Sequence, residues 1–386
     1  MTIIPPKDPR PSAVPPASQA TGPVVFYRNL DADRPRGHGV SGKVAMATTL
    51  ATLLAREYDG DFDGTKAYAG VPYFVPGDTL VLSDSLRLGI RDERDLFGGV
   101  VPFAFVGTKV ITHGLTGPDA AAPQGWAPEF PQRVAQVVLP GFSVFSRVDA
   151  LLAGSLLLES GSVRLKRPDG IGGLGQSVVL DRRQLESQLD GIDPVALEGQ
   201  GMVLECNLAD VKTFSVGQTR LGDMLITYCG TQRLTRSNEG THVYGGSQLL
   251  VARGDWGDLL ALGLRPDART AVDQSRVYHE AALATFTGMF ASRCNYDVAL
   301  GRDEAGTMRS GVLEQSWRIG GATGAELAAL AAFQASPDLK STGASTTEIY
   351  GDSPDLPADA LIYYQGVDHN VGPLTKFARL EPHVDP

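Results

Sequence analysis

The run VRLKRPDGIGGLGQSVV at 163–179 constrains this chain most: Gly170, Gly172, Gly173 and Gly175 stand between two apolar, strand-like segments. A glycine run that leads from a strand into a helix marks a dinucleotide turn. This one leads from strand to strand, which excludes that turn. Lacking Cβ atoms, such a loop can lay backbone N–H groups over a polyphosphate. Lys166, on the incoming strand, can aim its ammonium at the same phosphates. A plain surface hairpin has the same pattern, so the run needs support from elsewhere in the chain.

Three other segments carry polar chemistry. YDVALGRDEAGTMRSGVLEQSWRIGG (296–321) reads as a β-hairpin turning at RDEAG. Asp297 lies on one strand, Glu314 and Ser316 on its partner, and Arg318 beyond. Cross-strand pairing makes the two carboxylates neighbours, and the period of two puts Glu314, Ser316 and Arg318 on one face. Two carboxylates and a hydroxyl make a hard oxygen site suited to magnesium, which also takes phosphate oxygens. The strand of MVLECNLADVKTFSVG (202–217) ends in Glu205 and can present backbone groups and one acceptor to a planar base. Gly37-His-Gly39-Val-Ser-Gly42 precedes Lys43, but Val44 stands where a phosphate loop needs a hydroxyl. That motif reads as a glycine-rich loop capping the helix that follows. Each of these segments, taken singly, also fits an ordinary strand end, solvated face or helix cap.

Composition narrows the class. Glycine makes up 45 of 386 residues, well above the usual share of about 7%. The net charge of −10 provides no global basic field for nucleic acid. Cys206, Cys229 and Cys294 are far apart and read as free thiols of a reducing compartment. The six histidines show no metal-ligand spacing, and no zinc or catalytic-triad motif occurs. No apolar run approaches the roughly 18 residues of a membrane helix. The first 23 residues hold seven of the 25 prolines and no apolar signal core. The expectation is a cytoplasmic protein with a flexible N-terminal tail.

The pattern of apolar runs gives an α/β (α+β) chain. Expected boundaries are a tail at 1–23, an N-terminal α/β subdomain at 24–130, a central subdomain with the glycine loop at 131–235, a C-terminal subdomain with the carboxylate hairpin at 236–335, and an extension at 336–386. TLVLSDSL (79–86) and VVPFAFVG (100–107) read as strands, and a helix is expected near 268–291.

Taken in order, the lysine and glycine loop, the strand ending in Glu205 and the carboxylate hairpin ending at Arg318 resemble the ATP-grasp superfamily. The resemblance covers roughly 135–335, with 24–130 in the place of its N-terminal subdomain. DLFGGVVPFAFVGTK, VYGGSQLLVARGD and SGVLEQSWRIGGA are more closely similar to a bacterial family known only as a domain of unknown function. The superfamily resemblance implies two α+β subdomains sandwiching ATP, and an ATP- and magnesium-dependent ligase that joins a carboxylate to an amine or thiol through an acylphosphate. Lys166 would contact the phosphates, and Gly170, Gly172, Gly173 and Gly175 would cover them. Val203, Leu204 and Glu205 would read the adenine. Asp297, Glu314 and Ser316 would hold magnesium, Ser316 standing where the superfamily has Asn. Arg318 would steady the transferring phosphoryl group. A second phosphate-contacting base is Arg133 or Lys109. Arg233, with Arg236 and Tyr244–Ser247, would line the acceptor side for an anionic substrate. A kinase of the same fold and a non-catalytic nucleotide-binding module are the alternatives. A homodimer is the base-rate expectation for assembly.

Overall fold

The computed structural model describes residues 21–29, 37–168, 170, 175–352, 354–382 and 384. The expected tail lies outside the described residues up to residue 20, as do Gly172 and Gly173.

The N-terminal part alternates strand and helix. β1 (Thr21–Tyr27) is flanked in parallel by β2 (Tyr58–Asp61) and β3 (Val71–Pro76), and α1 (His38–Leu53) crosses between them. β4 (Leu80–Val81) passes straight into α2 (Leu82–Leu88), and β5 (Gly99–Val101) into a 3-10 turn at Ala104–Gly107. The two longer strands expected there are therefore short. Polar residues at 83–85 let the chain coil after Val81, and Pro102 removes a ladder donor after Val101.

The central part is a small antiparallel sheet with helices on one side. α3 (Glu129–Val134) precedes β6 (Gly141–Val144), α4 (Arg147–Leu158), β7 (Val163–Lys166) and β8 (Gln176–Val179). Two further helices, α5 (Arg182–Asp190) and α6 (Pro194–Gln200), lead to β9 (Met202–Cys206). The strand order is β6-β9-β7-β8, so the glycine run joins β7 to its neighbour, the edge strand β8, as a hairpin connection. Ser146, Asp181 and Asp193 cap α4, α5 and α6 through their side-chain oxygens.

The remainder is organised on one eight-stranded antiparallel sheet. β10 (Ala209–Leu221), β11 (Met224–Arg236) and β12 (His242–Arg253) form a meander, followed by α7 (Trp256–Leu260) and α8 (Pro266–Thr285). β13 (Phe290–Ala291) reaches back to pair with β5. β14 (Arg293–Arg302) and β15 (Met308–Ser316) form the second hairpin, then α9 (Thr323–Ala335) and β16 (Ser341–Tyr350), β17 (Leu361–Asp368) and β18 (Gly372–Glu381) complete the order β15-β14-β10-β11-β12-β16-β18-β17. Residues 209–235, expected in the central subdomain, thus belong to the C-terminal sheet, because β10 pairs with β14. Residues 336–386 are not an appendage either: β16 and β18 continue the same sheet.

The two faces of this sheet differ. On one, Phe214, Val216, Cys229, Tyr296 and Val298 pack with α8 residues Ala271, Val272 and Tyr278 around Trp317. On the other, Leu249, Val251 and Ala344 pack with α9 and α1. This second face also carries the polar residues of β14: Arg293, Asn295 and Asp297 alternate along it. Gly321 and Gly324, at the start of α9, leave room for Tyr244 and Tyr363. A Cβ at either would lie 2.7 or 2.8 Å from the tyrosine ring. All three cysteines are free, and no helix among the described residues is long and apolar enough to cross a membrane.

Arg293 is buried against Glu326 of α9, with Nη2 to Oε1 at 2.7 Å. Its Nη1 also donates to the carbonyls of Ser316 at 3.1 Å and Arg318 at 2.5 Å, so the ion pair fixes the end of β15. Removing one member of a buried pair costs about 3–5 kcal/mol, whereas replacing both with apolar residues costs far less. Urea unfolding should therefore show Glu326→Leu strongly destabilised and the Arg293→Met/Glu326→Leu pair largely recovered. Equal midpoints for the two variants would contradict this account.

Candidate active site

The sheet of β6–β9 and the C-terminal sheet bring their polar residues to one place. Asp297 and Glu314 are direct cross-strand partners, and Asn295 is the partner of Ser316. Asp297 Oδ1 accepts from Gln232 Nε2 at 2.8 Å and Asn295 Nδ2 at 2.9 Å, which orients its carboxylate. Burial and the adjacent Glu314 push the Asp297 carboxyl up to about 6. Opposite stands Lys109, buried at the 3-10 turn Lys109–Ile111. Its Nζ lies 2.6 Å from Glu314 Oε2 and donates to the Gly170 carbonyl at 3.0 Å. One lysine of the N-terminal part therefore touches both the glycine loop and the carboxylate hairpin.

Lys166 leaves the end of β7 and pairs with Glu205, both buried. A carboxylate only accepts, so His113 Nε2 donates to Glu205 Oε2, at 3.3 Å. Burial alone would raise the Glu205 carboxyl, but the Lys166 ammonium and then His113 outweigh it and hold it down at about 2.

The expected site residues separate into groups. Gly170, Asp297 and Glu314 meet around Lys109, Lys166 and Glu205 form a separate buried pair beside His113, and Ser316 pairs with Asn295 across the ribbon, its Oγ accepting from Arg293 Nη1 at 3.4 Å. Gly175 closes the loop base, its carbonyl accepting from Arg167 N at 3.1 Å and its φ of +71° in the region that favours glycine. Val203, Leu204 and Glu205 lie in a strand flanked on both sides by β6 and β7, which commits their backbone groups to the two ladders. Arg318 sits past β15 with Nε 3.4 Å from Asp78 Oδ1 of the N-terminal part. Arg133 is exposed on α3 and joins none of these contacts among the described residues. Gln232 faces Asp297, and the next residue, Arg233, points to the other side of the sheet, donating to the Thr346 carbonyl and Thr347 Oγ1. Tyr244 and Ser247 do share the Asp297 side, with Tyr244 Oη 2.7 Å from Ser247 Oγ.

Sequence reasoning missed Gln232, Asn295 and His113. Asn295 was findable, lying two residues before Asp297 on the same strand face. Gln232 and His113 depend on strand order and on a loop path that no local pattern specifies.

Lys166 at the end of the β7–β8 hairpin, and two carboxylates paired across a ribbon of a second sheet, belong to an ATP-grasp fold. Structural similarity agrees. The chain resembles the biotin carboxylase domain of the Hydrogenobacter thermophilus 2-oxoglutarate carboxylase, a structure in complex with MgADP, ADP and bicarbonate, with TM-score 0.55, 11% identity, and 94% of this chain and 86% of that chain covered. It also resembles the Campylobacter jejuni biotin carboxylase in an ATP-analogue complex, with TM-score 0.53, 10% identity and coverage of 94% and 88%. For the Staphylococcus aureus N5-carboxyaminoimidazole synthetase the TM-score is 0.50, the identity 11% and the coverage 94% and 95%. Residues 26–378 match the family described as Protein of unknown function (DUF3182), and the chain belongs to that family. No curated protein matches the sequence.

The Glu205 environment makes a test. An unfolded glutamate titrates near 4.5, so the stability its depressed value supplies is present above that pH and is lost as pH falls toward 2. Glu205→Gln should be less stable than the native chain by on the order of a few kcal/mol at pH 7. In thermal unfolding the gap should shrink between about pH 5 and pH 2, the window set by the two values. A gap that stays constant over that range contradicts the assignment.

Proposed function

We propose that this chain is an ATP- and magnesium-dependent ligase that joins a small-molecule carboxylate to an amine or thiol. The observation that supports it most is the meeting of Lys109, the Gly170 carbonyl, Glu314 and Asp297, drawn from three parts of the chain. Lys109 and Lys166 supply the cations for a triphosphate, and the loop from Gly170 to Gly175 covers it. The segment following β9 takes the base.

Asp297, Glu314 and Ser316 fit a magnesium ion by their chemistry: hard oxygens, two of them carboxylates close enough that one resists ionising. A bound magnesium would neutralise charge on the β- and γ-phosphates. Gln232 and Asn295 hold Asp297 in place for it. Arg318, oriented by Asp78, faces the transferring phosphoryl group. A substrate carboxylate oxygen attacks the γ-phosphorus and the bond to the bridging oxygen breaks, giving an acylphosphate and ADP. The amine or thiol then attacks the acyl carbon, phosphate leaves, and the nucleophile's proton passes to solvent.

The test is product analysis with MgATP and a panel of carboxylates and amines. ADP and phosphate should appear in step only when both partners are present, and Glu314→Gln should lower that rate by about a hundredfold or more. A stable phosphorylated product from a single substrate would replace ligation with phosphotransfer. ATP binding without turnover, unchanged in Glu314→Gln, would leave only a binding module.

A further inference from the structure

The Gly37–Lys43 motif has no part in the nucleotide site described above, yet the fold takes care to place it. Gly37 caps α1, and the His38 backbone N–H donates to Asp368 Oδ2 of β17 at 2.6 Å. Gly42 lies under the Tyr363 ring, with a virtual Cβ at 3.6 Å from Cδ2. The first turns of α1 are thereby fixed against the far edge of the C-terminal sheet. Lys43, on the next helical position, donates from Nζ to the Gly77 carbonyl.

Gly77 and Asp78 form a turn that Asn29 pins from the end of β1. Asn29 Nδ2 donates to the Asp78 carbonyl at 3.0 Å, and Asp78 N donates to Asn29 Oδ1 at 2.8 Å. The same Asp78 carboxylate meets Arg318. Two cations from different parts of the chain therefore meet one turn, Lys43 at the Gly77 carbonyl and Arg318 at the Asp78 carboxylate, and that turn carries a single negative charge. An ammonium has three donors, and Lys43 makes one hydrogen bond among the described residues. Burial, and then Arg318, hold the Lys43 amine down at about 8, with Asp78 opposing. An incoming anion would relieve that repulsion. The place is also right, because Arg318 lies two residues beyond Ser316 and four beyond Glu314, at the end of the carboxylate hairpin.

We propose that Lys43 is a specificity-determining residue, which with Arg318 binds the carboxylate of the substrate to be activated, across the seam between the turn at Gly77–Asp78 and the end of β15. This rests on the ligase reading given above. It assigns the substrate as a small carboxylate acid recognised by cations, and it gives the N-terminal motif its role.

The test uses the full-length chain with magnesium and the ATP analogue AMP-PNP. Bicarbonate, acetate, succinate, citrate and glutamate are each added as probe anions, with inorganic phosphate as a further arm. Amine-selective labelling read by peptide mass spectrometry reports Lys43, with exposed Lys340 as the internal control. The expected result is that a carboxylate protects Lys43 and not Lys340. Lys43→Gln should then weaken that carboxylate by about tenfold or more, the scale of a charge-assisted hydrogen bond. Lys43→Arg should retain most of the affinity, and both variants should bind Mg-AMP-PNP as the native chain does, which shows that they fold. Protection by phosphate alone, no protection of Lys43 by any carboxylate, or an unweakened Lys43→Gln overturns the inference. Failure of the native chain to bind Mg-AMP-PNP overturns the ligase reading itself, and this inference with it.

Discussion

The ammonium of Lys109 is the point on which the architecture turns. It is 4% exposed, and a buried cation is tolerated only where carboxylates and carbonyls satisfy it. Its two partners come from elements that no short-range pairing connects: Glu314 from the C-terminal hairpin and Gly170 from the loop between β7 and β8. Satisfying one lysine thus sets the small antiparallel sheet against the large one. Lys166 and Glu205 repeat the same logic a few residues away inside the central sheet. Cations and carboxylates in this arrangement match what magnesium and a triphosphate require, positive groups for phosphate and hard oxygens for metal.

The last part of the chain extends the large sheet. β16, β18 and β17 carry the sheet beyond β12, and Glu348 of β16 sits directly opposite Lys376 of β18, paired at 2.9 Å. Tyr244 and Tyr363 fill the space between this pair, the start of α9 and α1, and the glycines at 321 and 324 exist to admit their rings. Asp368 then fastens the start of α1. The C-terminal strands therefore hold the N-terminal motif in place, and Lys43 meets the Arg318 side of the site through the Gly77–Asp78 turn. This packing is sequence-distant, of a kind that a local motif does not record.

How much of this was legible in the sequence follows from range. The hairpin of Asp297 and Glu314 was readable because a turn and a period of two determine its register locally. The glycine run with Lys166 was readable for the same reason. Arg133 and Lys109 were indistinguishable, since choosing between them requires knowing which one the fold buries against Glu314. Arg233 was expected on the acceptor side; alternation along β11 turns it to the face opposite Asp297, which Gln232 meets instead. Val203–Glu205 were expected to offer free backbone, and β6 and β7 occupy it. The expected boundary at 235 falls within β11 of the large sheet, because the placing of β14 beside β10 carries no local signal.

The most direct measurement is a crystal structure of the full-length chain grown with magnesium and AMP-PNP. The account predicts phosphate oxygens within hydrogen-bond distance of Lys109 and Lys166, and a metal bridging them to Asp297 and Glu314. A nucleotide bound elsewhere, or phosphates that leave these four side chains untouched, would contradict it.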